Sequence, residues 1–137
     1  MELSDKYLLQ ECRQVTEINK EFIDQMHEFM KESGGIGLAA NQVGSNEMIF
    51  VMSPYKQNSY TMINPKIISV SNDMIDFEEG CLSYPDVKII KKRHKIIKLE
   101  YTNSYGNKRV KTFKRLAAIV VQHEISHLNG ISFKDGK

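Results

Sequence analysis

The segment "QHEISHLNG", residues 122–130, places two imidazoles four residues apart, with a carboxylate directly after the first. On a helix, positions i and i+4 share a face. His123 and His127 can therefore aim nitrogens at one metal ion, while Glu124 stands beside them with a carboxylate able to move a proton. Two protein ligands are too few, because catalytic centres usually take three and keep one position open. Of the other donors, His94 is flanked by Arg93 and Lys95, a cationic setting that disfavours a metal, and reads as an exposed strand histidine. Cys12 lies between charged residues and reads as a small, partly buried side chain. Cys81, in "FEEGCLSYP", residues 77–85, differs. Gly80 lets the backbone approach closely, Pro85 stiffens the exit, and a thiolate is a strong ligand for a divalent transition metal. Cys81, His123, His127 and one water make a tetrahedral centre with one open position.

The elements that must hold these groups follow from periodicity. Val15, Ile18, Phe22, Met26, Phe29 and Met30 recur at helical spacing, which predicts a helix over 15–32, ended by "SGG" at 33–35. His27 reads as surface or edge structure on that helix. "GIGLAANQVGSN" reads as a loop or turn, and "MIFVM" at 48–52 as a buried strand. "YTMINPKIISV" at 60–70 has strand character broken by Asn64-Pro65, which suits an edge or turn. "KIIKLEYT", "NSYGN" and "KRVKTF" predict a hairpin. From Lys114 the period changes to helical through Leu116, Ile119, Val120, His123 and His127, and Asn129-Gly130 ends that helix. The expected class is α+β: an N-terminal helix, mostly antiparallel strands, and a C-terminal helix carrying the metal motif.

A chain of 137 residues, 41% hydrophobic and 26% charged, fits a single domain over 1–137 and a soluble globular protein. The net charge of +2 does not by itself imply a nucleic-acid partner. The densest basic run, "KIIKKRHKIIK" at 88–98, reads as a strand with one solvated face, with contact to an anionic partner as the second reading. Two cysteines form no disulfide framework and favour a reducing compartment. No secretory leader is visible, and no window is apolar enough to span a membrane.

Three motifs occur in order: "GIGLAANQ" at 35–42, "EGCLS" at 79–83 and "HEISH" at 123–127. Together they closely resemble the motifs of the peptide deformylase family, over roughly residues 15–133. The resemblance implies a hydrolase that removes the formyl group from the N-terminal formyl-methionine of new polypeptides. It implies that Cys81, His123 and His127 bind one divalent metal, Fe(2+) first, with Ni(2+), Co(2+) or less active Zn(2+) as alternatives. Glu124 would take the water's proton and pass it to the leaving amine. The Gln42 amide and the backbone N–H of Leu82 would hold the oxyanion, and Glu79 would orient site groups. Ile36, Phe77, Leu116 and Ile119 would line the methionine slot. Strand edges near Gly35 to Gly37, and from Gly80 to Tyr84, would pair with the peptide backbone. "GIGLAA" also matches the weak G-x-G-x-x-A pattern of dinucleotide sites, but a helix precedes it and a polar stretch follows, against that reading.

The chain departs from the family pattern in places. Ser126 stands where the common HExDH motif has aspartate, whose expected basic partner is Arg93. Lys88, seven residues after Cys81, stands where arginine is often found. The ends are short, and minimal forms of this kind resemble deformylases encoded by bacterial viruses. The bacterial cytoplasm, a monomeric state, transient proximity to the ribosome, and no nucleic acid or membrane partner of its own complete the expectation. The competing readings are another HExxH-type metal-dependent amidase or peptidase, and a non-catalytic metal- or peptide-binding relative.

Overall fold

The computed structural model describes residues 1–55 and 58–135. Asn19 begins the first helix, α1 (Lys20–Glu32), by accepting a 3.1 Å hydrogen bond from the Phe22 N–H. An N-cap asparagine satisfies one of the donors that a helix start leaves unpaired. The helix begins later than its apolar spacing predicts. Val15 is instead hydrogen-bonded by Asn64, which accepts from its N–H at 2.7 Å and donates to its carbonyl at 3.0 Å.

After α1 come β1 (Gly37–Ala39), a 3-10 turn (Ala40–Gln42), β2 (Ile49–Tyr55), β3 (Asn58–Val70), β4 (Met74–Cys81), β5 (Tyr84–His94), β6 (Ile96–Thr102), β7 (Lys108–Lys114) and α2 (Leu116–Leu128). A second 3-10 turn covers Phe133–Asp135. The segment 35–46 is thus not all loop: three residues pair with β2, too few to show a period of two in the sequence. Nor does Asn64-Pro65 interrupt β3. The strand runs through it with a register shift between Ile63 and Lys66, the kind of irregularity that tolerates a missing proline N–H within a sheet.

Five strands form one antiparallel sheet in the order β1-β2-β3-β6-β7, and β4-β5 form a separate ribbon. Alternation along the strands gives the sheet two apolar faces. Ala39, Phe50, Met52, Met62, Leu99 and Phe113 pack against Ala117, Ala118, Val120 and Val121 of α2. Leu38, Ile49, Val51 and Ile63 pack against Ile23, Met26 and Met30 of α1. The basic run does not form one solvated strand face. It spans the end of β5, a corner at Lys95 and the start of β6, and within β5 its Lys91 and Arg93 are buried while Ile90 is exposed.

Candidate functional site

Gln122 fixes α2 against the β5–β6 corner. Its side chain accepts from the His94 N–H at 2.9 Å and donates to the His94 carbonyl at 2.8 Å. This clamp sets the roll of the next turn, so His123 and His127 face the β4–β5 ribbon with ring centroids 4.9 Å apart. Cys81 ends β4, and its Sγ lies 3.2 Å from His127 Nε2. The donor atoms of Cys81, His123 and His127 all lie within 4.8 Å of one another. A sulfur with two imidazole nitrogens is a donor set suited to a divalent transition metal.

Glu79 organises this cluster from beneath. Arg93 Nε donates to one carboxylate oxygen at 2.7 Å and Nη2 to the other at 2.8 Å, and the second oxygen also faces His123 Nδ1 at 2.9 Å. That contact assigns the Nδ1 proton of a neutral His123 and leaves Nε2 for the cluster. Burial alone would raise the Glu79 carboxyl, but Arg93 and His123 hold it down at about 2. Burial also works against charge on His123, yet Glu124, Cys81 and Glu79 outweigh it and push the imidazole up to about 10. These neighbours favour positive charge on the imidazole. Burial, His123, Lys91 and Arg93 depress His127 to about 3, which keeps a lone pair on its ring.

Glu124 is buried, with Oε2 4.0 Å from His123 Nε2 and Oε1 without a hydrogen-bond partner among the described residues. Burial pushes its carboxyl up to about 7; His123 and Arg93 oppose the rise and Glu79 adds to it. A carboxyl poised near neutrality can both take and return a proton. Gly37 makes room for it, since a Cβ there would meet the Glu124 carboxylate and Val120 Cγ1. Gln42 accepts from the Ala39 N–H at 2.9 Å, which turns its amide nitrogen towards Ser83 Oγ at 3.0 Å and Cys81 Sγ at 3.6 Å. Leu82 occupies the turn between β4 and β5.

Cys81, His123 and Glu124 line a cleft of about 360 Å³. All the expected lining residues face it: Ile36, Gly37, Phe77, Glu79, Gly80, Leu116 and Ile119, together with Gln42, Cys81, Leu82, His123 and Glu124. Lys88 and Val120 line it too. His94 stands apart, its Nδ1 2.8 Å from the Ser71 carbonyl oxygen. His27 is half-buried on α1 and hydrogen-bonded to Thr61 at 2.7 Å, and Cys12 is buried in the α2-side core.

Two polar residues belong to the site although their types did not single them out. Ser83 meets the Gln42 amide, and Asn41 donates through Nδ2 to the His127 carbonyl, tying the 3-10 turn to the end of α2. Both lie inside the quoted motifs, which is the only sequence signal they carry. Arg93, the expected basic partner of the family's aspartate, pairs here with Glu79. Ser126 only shares a narrow crevice with Arg93 and Lys91 and forms no side-chain hydrogen bond among the described residues.

A sequence model of the family described as Polypeptide deformylase matches residues 1–136. A peptide deformylase of Fusobacterium nucleatum is 41% identical over 123 residues, covering 88% of this chain and 71% of the relative. The crystal structure of peptide deformylase from Thermotoga maritima superposes with a TM-score of 0.92 at 36% identity, covering 96% of this chain and 91% of that one. That of a probable peptide deformylase from Synechococcus phage S-SSM7 superposes with a TM-score of 0.90 at 40% identity, covering 99% and 100%.

Proposed function

The chain belongs to the polypeptide deformylase family, and from that premise we propose which of its residues carry the reaction and with which metal. It is a hydrolase that removes the N-formyl group from the N-terminal formyl-methionine of nascent polypeptides, releasing formate. The family is metal-dependent. Cys81, His123 and His127 would hold the ion, and the convergence of their donor atoms within 4.8 Å of one another, with Cys81, His123 and Glu124 lining one cleft, is the observation that carries this reading.

Bound there by Cys81, His123 and His127, a divalent ion would supply two things: a lowered water pKa and polarisation of a carbonyl. The remaining work falls to this chain's own groups. Glu124 takes the proton of the attacking water and delivers it to the amine nitrogen as the formamide C–N bond breaks. Its raised pKa suits both halves of that transfer. The formyl oxygen gains negative charge as water adds, and the Gln42 amide and the Leu82 N–H donate to it. A donor of this kind typically contributes about 3 kcal/mol. Ala39 and Ser83 fix the Gln42 amide before substrate arrives, so little reorganisation accompanies the step.

Ile36, Phe77, Leu116 and Ile119 receive the unbranched methionine side chain. The free edge of β1 at Gly37 and the backbone from Gly80 to Tyr84 receive the peptide as an added strand, a mode that tolerates varied sequence. Glu79 orients His123 and does not touch the substrate's reacting atoms. Fe(2+) is the proposed native ion, since a thiolate with two imidazoles binds several divalent metals and the family resemblance favours iron. The working form is proposed to be one catalytic domain, a monomer in the bacterial cytoplasm acting on chains as they leave the ribosome. Among the described residues no helix is long and apolar enough to cross a membrane.

The test is formate release from a formyl-methionyl tripeptide, with enzyme loaded anaerobically with iron, nickel, cobalt or zinc in turn. Release that requires the formyl group and a metal, fastest with iron, is expected. Equal cleavage of unformylated peptides would overturn the substrate assignment, and zinc outperforming iron would overturn the assigned metal.

A further inference from the structure

The hydrolytic site and α2 lie against one face of the sheet. The other face carries a feature that the reaction does not use. From Lys88 to Arg115 the chain has eleven lysines and arginines and a single carboxylate, Glu100, whereas residues 1–47 have four against nine. The fold sorts these charges in space. Ile97, Leu99 and Phe113 face α2, so the alternating positions of β6 and β7 face away from it. On that side Lys98 stands opposite Thr112, Ile96 opposite Lys114, and Thr102 opposite Lys108, while Glu100 lies between Lys66 of β3 and Val110. The apolar contacts of α1 on this face fall on β1, β2 and Ile63 of β3 and include no residue of β6 or β7.

The half-face left uncovered thus presents Lys66, Lys98, Lys108 and Lys114, all exposed. Among the described residues none of the four enters an ion pair. Neighbouring cations are engaged elsewhere: Lys92 pairs with Asp76, Arg93 with Glu79, and Lys111 donates to the Tyr60 hydroxyl. Glu100, opposite Lys66, is the one carboxylate at these positions of β6 and β7, and exposed Ile96 and Val110 lie between the lysines; with strands about 4.8 Å apart and alternate residues about 7 Å apart, the four ammonium groups leave the surface positive.

We propose that this face docks on the phosphate backbone of structured RNA. Charge complementarity is the argument, and the composition of the face narrows it. No aromatic ring of β6 or β7 stands among these lysines to stack an unpaired base; Tyr101 and Phe113 face α2, and Tyr105 in the connecting turn lies beneath Lys20. A duplex therefore fits better than a single strand. The four charges are lysine ammonium groups, which bind phosphate as point charges and carry no base-reading fork. The face also lacks the buried aromatic and arginine anchors typical of protein interfaces. Docking is therefore independent of RNA sequence, and the cleft on the α2 side stays open. Nascent chains emerge from an RNA-rich particle, which gives such a surface a use, but the proposal stands independently of the hydrolytic assignment.

The experiment is fluorescence anisotropy of a labelled RNA hairpin titrated with the metal-loaded enzyme, with polyglutamate and phosphatidylglycerol vesicles as competitors. Four neutralised phosphates give a log–log salt slope of about −3 to −4, or roughly a hundredfold loss of affinity between about 50 and 200 mM salt. The charge-reversed variant K98E/K108E/K114E is expected to lose binding at least about tenfold while releasing formate from a short peptide at the wild-type rate. The neutral variant K98Q/K108Q/K114Q, which keeps the strand surface, is expected to flatten the salt slope by about three. Absence of RNA binding at low salt, or equal binding by both triple variants, would overturn the proposal. So would stronger competition by polyglutamate, which points to an acidic protein, or by vesicles, which points to a lipid surface.

Discussion

Two helices of thirteen residues flank the same sheet and are built on opposite plans. In α1, Ile23, Met26 and Met30 are buried, and Glu21, Asp24, Glu28 and Glu32 remain in water. Ten residues of α2 are buried, and four of them, Gln122, His123, Glu124 and His127, are polar. The first plan needs only apolar contact and end caps. The second brings polar side chains into the interior, where they need partners, and most of these come from other segments: Glu79 and Cys81 on β4 and the His94 backbone, while Glu124 Oε1 and His127 Nδ1 have no hydrogen-bond partner among the described residues. Burial of polar groups at this density sets α2 apart, and the simpler helix supports the opposite face of the sheet.

Substitutions can break this contrast in graded steps. Glu124→Ala is expected to reduce turnover by roughly 10²- to 10⁴-fold, the usual worth of a positioned acid–base group, with metal content retained. Steady-state kinetics together with metal analysis checks this, and wild-type turnover would remove Glu124 from the mechanism. Met26→Ala, on the other helix, is expected to cost about 2–5 kcal/mol of stability by denaturant unfolding while leaving the activity of the folded fraction intact. A large loss of kcat at full folding would show that α1 shapes the site. Glu79→Gln is expected to weaken metal binding roughly 10- to 100-fold, because His123 loses its orienting carboxylate. Unchanged affinity by competition with a chelator would argue that the α2 helix alone positions its imidazoles. Asn19→Ala, which removes the N-cap of α1, is expected to cost about 1 kcal/mol, with kinetic constants unaffected. No change in the melting curve would mean that packing alone sets that helix start.

How much of this could be read beforehand depends on the range of the interactions involved. His123, Glu124 and His127 lie within one turn and a half of a helix, so their spacing alone discloses a shared face. Cys81 could be nominated from its chemistry and its glycine neighbour. Glu79 and Gln42 required the family resemblance, because a carboxylate and an amide have many ordinary uses. Asn41 and Ser83 were missed for the same reason. The basic run was misread because periodicity gives alternation without telling which side faces in. In β5 the inward positions are Lys91 and Arg93, and only a carboxylate from the neighbouring strand, Glu79, makes the arginine's burial tolerable. The start of α1 and the continuity of β3 were misjudged together, since Asn64 reaches back 49 residues to Val15.

The claim that the buried polar face of α2 joins Cys81 in one metal centre is tested most directly by cobalt titration followed by absorption spectroscopy. A single Co(2+) per chain is expected, with a near-ultraviolet thiolate-to-metal charge-transfer band that Cys81→Ser abolishes and Cys12→Ser leaves in place. Stoichiometric binding with no thiolate band, or a band that survives Cys81→Ser, would contradict it.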